Sequence, residues 1–265
     1  MTDNDRSMAF TEHLRELRKR LIVSIIAAAA GFAVAYYYSA ELYHFLALPL
    51  LPALPPGQDF MIFTGVVEPF FIYMKVGFAG GLVLASPVIL FEVWGFVAPA
   101  LYRNEKTWFV FIVFFSVILF LAGTAFAYLV VFPFGFKYLM GYSSPELKPL
   151  ISMSEYFSMI TKFLLAFGII FQLPLAILVL ARLGLVTARK LVSWWRYAIV
   201  ITLVVSAVLT PTPDIFNQLL MAGPIMALYI IGIVVAVIFG KKKEGAGEEA
   251  EEAAEEPADR EPDGQ

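Results

Sequence analysis

Cysteine is absent from this 265-residue chain, and histidine occurs only twice. Without thiols there are no disulfides and no thiolate chemistry, and the redox compartment is left open. Charge is scarce as well. Asp, Glu, Lys and Arg make up 15% of the residues, where a soluble domain carries about a quarter. With 60% of the chain hydrophobic, that scarcity marks an integral membrane protein. The phosphate-binding Gly-x-x-x-x-Gly-Lys-Ser/Thr, the Gly-x-Ser-x-Gly elbow and the His-Glu-x-x-His zinc motif are all missing. Their absence argues against ATP hydrolysis and against peptide cleavage inside the bilayer. No cofactor, metal or nucleic-acid partner is called for.

What remains is a series of apolar runs. A helical span needs about 20 mostly apolar residues, and six candidates satisfy or approach that length: Leu21–Tyr38, Phe70–Phe96, Trp108–Phe132, Phe157–Ala181, Trp195–Leu209 and Ile215–Phe239. The fold class is therefore an all-α integral membrane protein with six transmembrane helices. The fifth span is short, since the Thr210-Pro211-Thr212-Pro213-Asp214 turn blocks its continuation. Lys75 and Lys162 lie near the ends of the second and fourth spans, where their amines reach toward headgroups. Residues 1–240 form the membrane domain. The tail 241–265 is Glu/Ala/Pro-rich beyond its three lysines and is expected to be disordered.

Charge bias gives the orientation. In a six-span topology, 15 of the 19 Lys and Arg residues fall on one side, and the opposite loops contain only Lys137 and Lys148. The positive-inside rule then places both termini in the cytoplasm. The basic run before the first span does not read as a cleaved signal peptide, because the apolar segment is long enough to span and no small-residue cleavage site follows. On the far side, segment 39–69 is rich in proline (Pro49, Pro52, Pro55, Pro56, Pro69) and, like segment 133–156, is expected to pack as a loop over the span ends. With His13 and His44 on opposite sides, a two-histidine metal site within one chain is excluded.

A few polar residues stand out against this background. His13 to Leu21 reads as an amphipathic helix start, with Leu14, Leu17 and Leu21 on one stripe. Its basic residues suit an anchor on anionic lipid. Glu16 either pairs with Arg20 four residues on or serves recognition. Glu105 lies between the second and third spans, on the same side as Glu16. It is either a surface acid offset by Arg103 and Lys106, or a carboxylate able to hold a ligand guanidinium through bidentate, charge-assisted bonds. Phe96, Leu101 and Tyr102 would supply an apolar wall. Gln172 is an uncharged amide inside the fourth span, placed to bond across helices or to satisfy a carbonyl freed by Pro174. Glu68 and Asp214 are placed as span-start caps, and Gln218 is placed to face neighbouring helices.

Taken together these residues resemble the TatC family of twin-arginine protein translocase subunits over nearly the whole chain. The marks are His13-Leu14-x-Glu16-Leu17-Arg18-x-Arg20-Leu21, Pro49, Glu68-Pro69-Phe70 with Lys75, and Pro87 before Trp94-x-Phe96-x-x-Pro99-x-Leu101-Tyr102-x-x-Glu105. Phe126-x-Tyr128 with Phe132-Pro133, Phe171-x-x-Pro174 and Thr210-Pro211-x-Pro213-Asp214 with Gln218 complete them. The resemblance implies a curved, glove-like bundle and a receptor subunit, not an enzyme. Such a subunit binds twin-arginine signal peptides of folded precursors at the cytoplasmic face. It self-associates and works with TatA-like and TatB-like single-span partners in the bacterial cytoplasmic membrane, driven by the proton-motive force. Glu16, Arg18, Phe96 and Glu105 would form the signal-peptide site, with Leu101 and Tyr102 beside it. Gln218 is implied for activity, partner contacts are implied around the fifth span, and Pro49, Pro99, Pro174 and Asp214 are implied as structural. One departure is Gln172, where many relatives have Glu. Two other classes remain to be told apart by experiment: a small-solute transporter, which would give flux in liposomes, and a scaffold indifferent to neutralising its acids.

Overall fold

The computed structural model describes residues 3–50, 52, 54, 60–101, 106–141, 144, 149–210 and 214–239, with backbone alone for 3–11, 98–101 and 106. In chain order the helices are α1 (Asp3–Tyr37), α2 (Ser39–Ala47), α3 (Glu68–Leu101), α4 (Lys106–Phe126), α5 (Phe132–Met140), α6 (Met153–Ile170), α7 (Leu173–Arg182), α8 (Ala188–Ser193), α9 (Trp195–Leu209) and α10 (Ile215–Phe239). A π-helical turn, Ala127–Val131, joins α4 to α5. Among the described residues the sheet-like pairing is one isolated parallel bridge, Ile62 with Ser152.

Five of the expected spans are confirmed as apolar helical segments long enough to cross a bilayer, whereas the fifth, α9, is a 15-residue helix. At 1.5 Å per residue α9 reaches about 22 Å, short of the roughly 30 Å hydrocarbon core. Its bounds and those of α10 match expectation because the Pro- and Asp-bearing sequence between them punctuates the chain. The first span extends further back than expected. The amphipathic segment and the span form a single 35-residue helix, since basic residues do not interrupt backbone hydrogen bonding. About 52 Å of helix outruns the bilayer core, which carries Glu16 to Arg20 beyond the deepest apolar region.

Prolines shape the third and fourth spans. The apolar helical segment Thr107–Met140 runs past the expected end at Phe132. Pro133 sits in the first turn of α5, where its missing N–H is harmless, and the π turn before it absorbs the altered register. Pro174 likewise opens α7, after a break at Phe171 and Gln172.

Among the described residues of segment 39–69 there is a helix where a covering loop was expected. The proline-free stretch before Pro49 forms α2, whose Leu46 enters the main core with Leu50, Ile72, Val76, Phe132 and Phe157. The Tyr128 and Tyr156 hydroxyls donate at 2.6 Å to Phe45 O and Leu46 O in the last turn of α2, where Phe45 O also accepts from Leu48 N–H at 3.3 Å. Ile62 N–H donates to Ile151 O and Met153 N–H to Ile62 O, tying the two loops together. Outward faces carry exposed Ile25, Ile26, Phe114, Val204 and Val208, as expected where lipid replaces water as the solvent.

The pair that positions the site is α1 against α3. Their backbones meet at Gly31 and Gly81: a Cβ on Gly81 would lie 2.5 Å from Phe32 N, and one on Gly31 would overlap Gly81 O. Small residues at a crossing let helices approach to backbone contact.

Candidate ligand-binding site at the basic end

Because α1 and α3 run antiparallel in close contact, the basic start of α1 lies beside the end of α3. Two contacts fix this corner. The His13 ring stacks on Phe96 with centroids 4.3 Å apart and planes 23° from parallel. Arg20 lies between two carboxylates. Its Nε and Nη2 donate to Glu16 Oε1 at 3.0 and 2.7 Å, and its Nη1 donates to Glu92 Oε2 at 3.0 Å. The guanidinium rests against Gly95, where any Cβ would overlap Nη1. Side-chain exposures of 24% for Arg20, 35% for Glu16 and 15% for Glu92 mean that water reaches the cluster without flooding it. Charge-assisted bonds under such partial shelter are stronger than those of a fully exposed pair.

The expected i,i+4 pairing of Glu16 with Arg20 is present, and a second acid from α3 joins it. Sequence reasoning passed over Glu92, although it is the one acid in the apolar run from Phe70 to Phe96. A lone carboxylate in a span is itself a signal. Of the other expected site residues, Phe96 comes to the corner through His13. Arg18 is exposed, and two positions along a helix it faces away from Glu16. Leu101 ends α3 and Pro99 lies within it, both with side chains outside the described residues; Tyr102 and Glu105 also lie outside them.

Beneath the corner a polar chain crosses three segments. Trp94 Nε1 donates to Ser116 Oγ at 2.8 Å, and Ser116 Oγ donates to Gln172 Oε1. Gln172 Nε2 donates to Ser116 O at 3.1 Å and Gly168 O at 3.4 Å. The second bond has a local cause. At the α6–α7 break Gln172 N–H turns to Ile169 O, so Gly168 O loses its helical donor and the side chain replaces it. Gln172 thus bonds across helices as expected, while the carbonyl it satisfies locally is Gly168's and not the one opposite Pro174. Gln172→Leu removes both amide bonds and the acceptor of Ser116. It is expected to cost about 1–2 kcal/mol, read as a lower unfolding midpoint in detergent.

Further elements hold the frame. Arg182 stacks over Trp108 at 3.8 Å and its Nε donates to Phe239 O at 2.6 Å, fastening the ends of α7 and α10 to the first turns of α4. Asp214 caps α10 by accepting from Asn217 N at 2.7 Å. Gln218 Nε2 donates to Leu203 O of α9 at 3.1 Å. Pro49 lies in the turn that closes α2. Glu68 ties the preceding loop more than its own helix, accepting from Thr64 N at 2.6 Å and Gly65 N at 2.9 Å. Lys75 Nζ donates to Ser158 Oγ of α6 at 2.8 Å. Among the described residues no three His, Asp or Glu side chains gather as a metal-ligand group. The arrangement at the corner is a guanidinium held by two carboxylates beside a stacked aromatic pair.

Residues 12–224 match the family model described as Sec-independent protein translocase protein (TatC). The Sec-independent protein translocase protein TatC of Desulforapulum autotrophicum is 44% identical over 263 residues, covering 99% of this chain and 97% of the relative. Its Escherichia coli K12 counterpart is 39% identical over 240 residues, 91% of each chain. Among solved structures, a crystal structure of the twin arginine translocase receptor TatC superposes with a TM-score of 0.77 at 39% identity, covering 85% of this chain and 98% of that one.

Proposed function

Because the chain belongs to the TatC family of Sec-independent protein translocase proteins, we propose that it acts as the receptor subunit for twin-arginine signal peptides. As a translocase subunit it is a component of transport. The observation that carries the receptor reading is the α1–α3 corner, where a guanidinium is already seated between two carboxylates beside a stacked aromatic wall. An arginine of a signal peptide has the same head group, and its planar fork suits carboxylates better than a lysine amine does. The solved relative is itself described as a twin arginine translocase receptor, which supports the same reading.

In this proposal the basic end faces the cytoplasm of a bacterial-type cell. Glu16, Phe96 and Glu105 contact the signal, Leu101 and Tyr102 flank it, and Arg18 contributes from the exposed side of α1. TatA-like and TatB-like single-span helices dock along α9, which turns exposed Val200, Ile201, Val204 and Val208 outward. Gln218, bonded to α9, sets that surface, and copies of the chain associate in the receptor complex. Transport is driven by the proton-motive force. Gln172 carries no titrating proton, so the proton-linked step lies elsewhere in the assembly.

Binding of a precursor signal to membrane vesicles containing this chain tests the proposal. An Arg-Arg signal is expected to bind at least about tenfold more tightly than a Lys-Lys version, a difference of about 1.4 kcal/mol. Equal binding of the two would remove the guanidinium reading.

A further inference from the structure

Arg20 already occupies Glu16. Glu16 and Arg20 alone make a neutral pair with little net attraction for a second cation. Glu92 changes the balance, because two carboxylates around one guanidinium leave a local excess of one negative charge. Both bonds to Glu16 fall on Oε1, and the bond to Glu92 falls on Oε2. Glu16 Oε2 and Glu92 Oε1 therefore accept nothing from the described residues. The remaining charges on this stretch of α1, Glu12, Arg15, Arg18 and Lys19, are all exposed, where water and salt screen them.

We propose that Glu92 is a further specificity-determining residue of the signal-peptide site: it holds Arg20 from the α3 side and supplies the uncompensated negative charge that an incoming arginine neutralises. Arg20 then acts as a positioning residue. Seated against Gly95, it keeps the two acids apart and turns one free oxygen of each toward solvent. The inference rests on the receptor reading above and adds α3 to it, since the charge that attracts the ligand comes from Glu92 while Glu16 is already paired.

In vesicles containing the full chain, Arg-Arg signal binding is measured for wild type, Glu92→Gln, Glu92→Asp, Arg20→Gln and the double variant Glu92→Gln/Arg20→Gln. Glutamine at 92 keeps a carbonyl acceptor for Arg20 Nη1 but removes the excess charge. Glu92→Gln is expected to bind roughly tenfold more weakly and with a shallower salt dependence, as loss of a steering charge requires. Glu92→Asp recovers most of the binding. Arg20→Gln makes the cluster more negative by one charge, and the double variant restores the wild-type excess and returns to within about threefold of wild-type binding. Binding by Glu92→Gln equal to wild type would overturn the proposal. So would a double variant weaker than either single one, since a structural role alone predicts additive loss. Should Arg20→Gln not accumulate, the Glu92→Gln and Glu92→Asp comparison decides by itself. A wild-type chain that binds Arg-Arg and Lys-Lys signals equally would instead fail the receptor reading, a separate outcome.

Discussion

Replacing Glu16 and Glu105 together by alanine is expected to leave the chain inserted and accumulating while weakening Arg-Arg signal binding by at least about a hundredfold, near 2.8 kcal/mol. Each acid offers a charge-assisted bond to a guanidinium, and bonds of that kind contribute about 1.5–3 kcal/mol each. Insertion survives because Glu16 is not the sole tie between α1 and α3. Arg20 keeps its bond to Glu92 when Glu16 is lost, and the His13–Phe96 stack does not involve either acid. Glu105 precedes Lys106, the first residue of α4, and that helix is fastened through Trp108, Arg182 and the carbonyl of Phe239. Binding within threefold of wild type in the double variant would remove both residues from the proposed site.

The second large effect is structural. Gly81→Leu is expected to lower stability by about 1–3 kcal/mol or more and to reduce the folded protein recovered from membranes. The crossing has no room for a side chain: even a Cβ at residue 81 would meet Phe32 N at 2.5 Å and Phe32 Cα at 2.6 Å. Both atoms are backbone, so neither can rotate away. Pushing the helices apart also separates Arg20 from Glu92 and His13 from Phe96, so signal binding falls with stability. Gly223→Leu is the control, since a Cβ there meets nothing within 4 Å. Equal unfolding midpoints for the two variants would contradict the close crossing.

The Glu16–Arg20 pair is local, four residues apart on one helix, so sequence spacing was enough to name it. Glu92 and Arg20 are 72 positions apart, and no periodicity relates them. The charge of Glu92 within an apolar run was visible, but its partner was not. The same holds for Gln172: its polarity was plain, while Ser116, 56 residues away, and Trp94 were beyond reach. Span ends followed punctuation. Where proline and aspartate separate α9 from α10, the bounds were legible. Where the chain continues as helix through polar or proline-bearing sequence, as in α1 and across the π turn into α5, they were not. The helix α2 was hidden because nearby prolines gave the whole of 39–69 a loop-like character.

The absence of cysteine, the first thing the chain lacks, gives a clean background for reagents placed at a single position. The most direct test of the central claim is photo-crosslinking from a probe at residue 105 to a precursor bearing either an Arg-Arg or a Lys-Lys signal, in membranes with the full translocase. The account predicts a strong adduct at the Arg-Arg signal, a weak one at Lys-Lys, and loss of the strong adduct when Glu16 is replaced. Equal adducts with both signals, or an adduct indifferent to Glu16, would contradict it.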